Sequence, residues 1–228
     1  MEQNDVLKNS NAIGIPFSIN EKKRFYFFIK RIFDIIVGII GSVLIIPLAI
    51  IIKIAYLFHK DYAPIIFRQE RIGQNGKIIK IYKFRSMVPN AEKVLEDLMK
   101  NDPKIRKEYL NNKKLEHDPR LTKVGKVIRR TSIDEFPQFF NVLKGEMSLI
   151  GPRPYLLREK DDMEMYYNEI VACKPGITGL WQVSGRSDLS FNYRLKLDRI
   201  YYLQRTLRFD LIIAYKTFGA VFNKNGAK

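Results

Sequence analysis

Cysteine occurs once in 228 residues, at Cys173, which excludes an intramolecular disulfide and a thiolate metal cluster and fits a reducing compartment. Histidine occurs twice, at His59 and His117, far apart and without ligand spacing, so His117 beside Asp118 reads as a surface residue. Acid is the scarcer charge. The 24 Asp and Glu stand against 40 Lys and Arg, and the net +16 favours anionic partners: lipid headgroups, nucleotides, phosphorylated substrates or nucleic acid. The chain has no internal repeat, no P-loop and no dinucleotide fingerprint.

What it does have is one long apolar run. The 18 residues from Ile35 to Ile52 carry no charge and one polar side chain, Ser42, with Pro47 inside the run. A run of this length is a membrane candidate, since ~20 residues cross a hydrocarbon core of ~30 Å. Pro47 removes one backbone donor and clashes one turn back, so a kink or break is expected there. Basic residues flank both ends: Lys22, Lys23, Arg24, Lys30 and Arg31 before, and Lys53, His59 and Lys60 after. Positive charge marks the cytoplasmic side, so a helix that bends at Pro47 and returns to one face satisfies both ends. That re-entrant reading is preferred to a spanning anchor and to a buried core helix. The run starts too late and is too long for a cleaved signal peptide.

The expected organisation is a loosely held tail over 1–22, a re-entrant helix over 23–60 kinked at Pro47, and a catalytic domain over 61–228 facing the cytosol. Phe25 to Arg31 forms an aromatic and basic collar for the membrane interface. Two β-prone runs flank Gly73-Gln74-Asn75-Gly76, and Asn-Gly predicts a type I′ hairpin because both central residues need positive φ. Residues 91–115 are dense in charge, with Val94, Leu95 and Leu98 at helical spacing, and predict a solvated helix broken near Pro103. Short helices are expected over Val124 to Arg130 and Met163 to Val171. Arg194 to Phe222 mixes apolar and basic residues as an interfacial amphipathic helix does, although packing on the domain's own core fits equally well. The fold class is therefore α+β, mainly helical and membrane-associated, with a small β-hairpin.

Chemistry concentrates in Arg129-Arg130-Thr131-Ser132-Ile133-Asp134-Glu135, just before the helical run FPQFFNVL, which stops at Lys144-Gly145. A structural explanation exists. Ser132 and Glu135 have capping-box spacing, Pro137 suits a first turn, and Gly145 suits the residue after a helix. Against it, a helix start beside two arginines forms a phosphate site. Asp134 and Glu135 diverge by ~100° on a helix, so they should hold different roles. Arg153, between Pro152 and Pro154, sits on a stiff backbone that fixes its guanidinium. The segment Gly176 to Ser187 has three glycines, Trp181 and Arg186, a composition suited to a loop around a nucleotide.

Taken together, KIYKFRSM (Lys80 to Met87), DPRLTKVGKVIRRTSIDEFPQFFNVLKGEMSLIGPRP (Asp118 to Pro154) and PGITGLWQVSGRS (Pro175 to Ser187) resemble the bacterial sugar transferases, the monotopic polyprenol-phosphate phosphoglycosyl transferases. The resemblance runs from about Lys23 to Phe222. It implies transfer of a sugar 1-phosphate from a UDP-sugar to undecaprenyl phosphate, with release of UMP. It places the family's acidic dyad on Asp134 and Glu135, with Asp134 attacking the β-phosphorus and touching a Mg²⁺ ion. Arg129, Lys83, Arg153, Pro154 and Arg186 would hold phosphate and nucleotide. It further implies the bacterial inner membrane, exopolysaccharide, capsule or O-antigen synthesis and no nucleic-acid partner, and leaves a homodimer open.

This chain departs from relatives with Ser-Pro at the kink: it has Ile46-Pro47, so a capping hydroxyl would have to come from elsewhere, such as Ser42. It also resembles the catalytic core without the N-terminal multi-helix region of larger relatives. The excursion between Met87 and His117, with the LWQVSGRS wording, favours galactose or glucose over an N-acetylated amino sugar. The rival from another class is a membrane-tethered basic protein binding anionic lipid or nucleic acid, its carboxylates merely capping a helix.

Overall fold

The computed structural model describes residues 23–113, 115–185 and 189–222, so the tail over 1–22 and Arg186 lie outside the described residues. Its longest element is α1 (Lys23–Phe58), which continues through Pro47. The expected break does not occur. The proline deletes one ladder bond, while Ile45 and Ile52 on either side are buried in one cluster with Phe84 and Ile128 and hold both flanking turns. Nor does Ser42 cap a broken end, since its hydroxyl oxygen is buried without a hydrogen-bond partner.

One stripe of α1 is docked from end to end. Tyr26, Asp34, Ile45, Ile52 and Tyr56 are all buried. Gly38 and Gly41 let the helix approach Leu143 and Phe139, which a Cβ at either position would strike. The opposite face is bare: Phe28, Ile46 and Ile51 are 64%, 66% and 62% exposed, which rules out a buried core helix. At one end of α1 Lys30 pairs with Asp210 at 2.6 Å, and at the other Tyr56 donates to the Arg85 carbonyl. Both ends are thus tied to the same body of protein. The collar is only half as expected. Phe25 and Phe28 face outward, but Lys30 and Arg31 turn inward, Arg31 donating to the carbonyls of Val142 and Leu143 at 2.6 and 2.8 Å.

The hairpin is β1 (Ile66–Ile72) and β2 (Ile78–Phe84), antiparallel, with Lys83 opposite Phe67 and Arg71 opposite Ile79. Asn75 and Gly76 take φ of 56° and 75°, as the Asn-Gly signal demanded. The charged excursion forms α2 (Ala91–Asn101) and α3 (Pro103–Asn112), separated where Asp102 caps α3 by accepting from the main-chain N–H of Lys104 and Ile105. Next come α4 (Lys123–Arg130), a 3-10 segment (Ile133–Gln138) and α5 (Phe139–Lys144), which ends at Gly145 with φ 80°. A second sheet that the sequence did not suggest pairs β3 (Ser148–Ile150) in parallel with β4 (Gly176–Thr178). Three-residue strands carry too little periodicity to be recognised. Between them, 3-10 turns lead to α6 (Tyr167–Val171), and the short α7 (Leu180–Val183) follows β4.

The last segment resolves into α8 (Phe191–Gln204) and α9 (Leu207–Phe222). The interfacial expectation fails for α8, which buries Leu195, Leu197, Ile200 and Tyr201 and forms the main core with Phe209, Ile213 and Ile150. It survives only as a stripe on α9, where Leu211, Tyr215 and Phe218 are exposed at helical spacing.

Candidate active site

The turn into the acidic dyad is made by Ser132, whose φ of 57° costs ~1 kcal/mol for a residue with a Cβ. Its side chain makes no capping hydrogen bond, so the capping box is absent and the two carboxylates are free of that structural duty. The 3-10 segment that follows rests on the cluster of Ile45, Ile52, Tyr56, Phe84 and Ile128 through Ile133 and Phe136, and Phe139 at the start of α5 joins them.

Lys83 reaches across from β2. Its ammonium donates to Glu135 Oε1 at 3.0 Å and stands 4.0 Å from Asp134 Oδ2. The two carboxylates, expected to diverge, therefore meet at one cation, because the partner strand supplies a charge between them. Asp134 is 8% exposed. Burial pushes its carboxyl up to about 6; Lys83 opposes this, Glu135 adds to it, Arg129 opposes it, and the residue's own main-chain N–H has the smallest effect. Arg129 is held by donating from Nε to Ser86 Oγ at 3.2 Å. That contact depends on Gly125, where any Cβ would collide with the Ser86 carbonyl.

Arg153 and Pro154 belong to a second cluster. The Arg153 main-chain N–H donates to Asp198 Oδ2 at 3.1 Å, and its guanidinium lies 3.8 Å from Glu159 and 5.7 Å from the Trp181 ring. The Pro154 carbonyl accepts from Arg71 at 2.9 Å. Burial first, then Arg153, lowers Arg71 to about 9, and Glu159 opposes the shift. Burial likewise lowers Arg194, which lies 5.9 Å from Trp181, to about 10. No direct contact joins Arg153 to Asp134 among the described residues. The hairpin links the two clusters, since Arg71 on β1 feels the charge of Glu135. Along the strands the Arg71 row lies four residues from the Lys83 row, ~13 Å at the rise of a strand.

Arg71, Asp198 and Glu159 were not singled out in the sequence. Asp198 had one signal, an acid at helical spacing between Leu195 and Tyr201, which are apolar and buried. Arg71 had none, because an arginine in a strand is normally solvated.

No group of three or more His, Cys, Asp or Glu among the described residues could hold a metal ion by itself. Asp134 and Glu135 supply two hard oxygen donors. That set suits Mg²⁺ shared with substrate phosphates, not an all-protein cage.

The family model for the bacterial sugar transferases matches residues 25–224, and the chain belongs to that family. It is 45% identical over 211 residues to an undecaprenyl-phosphate galactose phosphotransferase of Salmonella typhimurium, covering 91% of this chain and 43% of that protein. It is 38% identical to the exopolysaccharide production protein ExoY of Sinorhizobium fredii, covering 87% of each. It is 37% identical to a UDP-N-acetylgalactosamine-undecaprenyl-phosphate N-acetylgalactosaminephosphotransferase of Aeromonas hydrophila, covering 89% of this chain and 46% of that protein. The chain thus spans less than half the length of the first and third of these relatives.

Proposed function

We propose that this chain transfers a sugar 1-phosphate from a UDP-sugar to undecaprenyl phosphate. A carboxylate oxygen of Asp134 attacks the β-phosphorus, the bond to UMP breaks, and UMP leaves with the electron pair. An oxygen of the lipid phosphate then attacks the same phosphorus, expelling Asp134 and leaving a lipid diphosphate sugar. The observation that carries this reading is a buried carboxylate, raised to about 6 and so ionised at neutral pH, with Lys83 and Arg129 as its cationic neighbours. A structural carboxylate would be tied up by donors.

Lys83 neutralises Glu135 and keeps Asp134 ionised, and Arg129 adds charge on the phosphoryl side. Mg²⁺ shared between the dyad and the diphosphate would offset the charge of the leaving UMP. Arg153, committed to the second cluster, suits the nucleotide end of the donor better than the attacked phosphorus. Arg71 and Trp181 belong with it there.

The membrane reading draws on α1. Its Tyr26 and Tyr56 ends are docked on one body of protein and its opposite face is bare, which supports a helix that keeps both ends on one side of the bilayer with the bare face in lipid. The protein then lies on the inner membrane with its site level with the lipid phosphates, at the cytosolic face. Galactose or glucose is the proposed sugar, following relatives whose names carry galactose and glucose. The N-acetylgalactosamine relative makes the donor panel the decisive assay.

Membranes containing the protein should release UMP from UDP-galactose or UDP-glucose in a Mg²⁺-dependent manner. Brief incubation with sugar-labelled donor and no lipid should leave label on wild type and none on Asp134→Asn. An active enzyme that retains no label would overturn the covalent route in favour of direct lipid attack. A preference for N-acetylated donors would overturn the sugar assignment.

A further inference from the structure

A cleft of about 250 Å³ lies away from the acidic dyad, among the first turns of α1, Ser148 of β3, the stretch Cys173–Lys174 and the α8–α9 corner at Arg205. Along α1, Arg31 in this cleft is some 20 Å of helix rise from Ile45, which lies in the cluster beneath Asp134. Four cations line it: Lys30, Arg31, Lys174 and Arg205; its one acid is Asp34.

The charges do not cancel. Lys30 is neutralised by Asp210 at 2.6 Å. Arg31 donates to two main-chain carbonyls, and Arg205 donates to Cys173 Sγ at 2.8 Å, all acceptors without net charge. Burial pushes that thiol up to about 11, so it is protonated at neutral pH. Asp34 accepts from Ser148 Oγ at 3.0 Å and from the Leu149 N–H at 2.8 Å. Lys174 makes no hydrogen bond and no ion pair among the described residues. A surplus of positive charge therefore faces a partly dry cleft.

Two of the cations converge. The Arg31 and Lys174 side-chain nitrogens stand 3.5 and 3.6 Å from the point a Cβ on Gly145 would occupy, so they are within about 7 Å of each other. Such a pair is unfavourable unless an anion joins it, and Lys174 shows the strain. Its ammonium is pushed down by burial first and by Arg31 next, with only Asp34 in opposition.

We propose that this cleft is a second anion site that takes a phosphate group between Arg31 and Lys174, with Arg205 on the lining of the same cleft, separate from the acidic dyad. The geometry of guanidinium and ammonium donors suits the oxygens of a phosphate mono- or diester. That chemistry has two sources, an anionic lipid headgroup or a soluble phosphate. The inference does not depend on the transfer reaction, because it is read by binding.

The test is calorimetry on the full chain in a non-ionic detergent, with dihexanoylphosphatidylglycerol in one arm and inorganic phosphate in the other. At least one probe should bind. Lys174→Gln should weaken it about tenfold, the scale of one lost charge-assisted hydrogen bond. Lys174→Arg should restore binding, and Lys107→Gln, an exposed cation on α3, should leave it unchanged. Asp134→Asn should also bind normally, which separates this site from the dyad. Binding of the lipid alone assigns the site to headgroups, and binding of inorganic phosphate with the same sensitivity to Lys174 assigns it to soluble phosphate. No binding of either probe, or equal behaviour of Lys174→Gln and Lys107→Gln, overturns the proposal.

Discussion

Asp134 and Asp198 are both buried carboxylates near arginines, and both are pushed up by burial, to about 6 and about 7. They differ in what their oxygens touch. Asp198 accepts on Oδ2 from the Tyr155 hydroxyl at 2.7 Å and from the Arg153 N–H at 3.1 Å, so it holds the Pro-Arg-Pro segment to α8, while its Oδ1 is buried without a partner. Among the described residues the Asp134 carboxylate has Lys83 at 4.0 Å, the charge of Arg129 and the influence of its own N–H. Burial alone does not distinguish the two; what distinguishes them is that Asp198 Oδ2 is fixed by two neutral donors, whereas the nearest partner of Asp134 is a cation.

The strongest way to break this contrast is Asp134→Asn. Transfer should fall by about 10³-fold or more, the scale of a lost nucleophile. Stability should move the other way. Because the folded-state value stands above the ordinary 3.8, the ionised group costs the fold free energy that is absent well below pH 3.8 and full above pH 6. Thermal melts should therefore show the asparagine variant more stable than wild type at pH 7.5, with the gap closing near pH 4. A loss of stability would place Asp134 among the structural carboxylates.

Lys83→Met comes next. Removing the ammonium should lower turnover by about 10²-fold and move the acidic limb of the rate profile to higher pH, since the charge that keeps Asp134 ionised is gone. Asp198→Ala tests the other side. It should lose roughly 2–3 kcal/mol in denaturant titration by stranding the Tyr155 hydroxyl and the Arg153 N–H. Turnover per folded molecule should fall less than in Asp134→Asn. The smallest effect is on pH dependence. Wild-type rate should rise through about pH 6 as Asp134 ionises, and Glu135→Gln, which removes a negative neighbour, should shift that limb to lower pH.

Much of the site was legible because its residues are contiguous. Arg129, Asp134 and Glu135 lie in one short segment of unusual charge, and the hairpin was written in Asn75-Gly76. What misled was local grammar. Ser132 and Glu135 have the spacing of a cap, yet the backbone turns left-handed at Ser132 and no cap forms. The stretch from Arg194 onward fitted a membrane interface and the domain's own core equally well, and α8 turns its apolar face to the core. Arg71 and Asp198 escaped notice because each acquires its meaning from a partner far along the chain: Pro154 for one, Arg153 and Tyr155 for the other.

By itself the sequence determined the apolar helix, the basic balance and the segment that holds the candidate dyad, since these rest on composition and on neighbours within a few residues. Only the tertiary structure decided that both ends of α1 dock on one body, that Lys83 stands between the two carboxylates, and that Asp198 is fixed by Tyr155 and Arg153. Those outcomes depend on contacts between residues 29 to 180 positions apart, and no local periodicity or propensity encodes which distant groups will share one dry space.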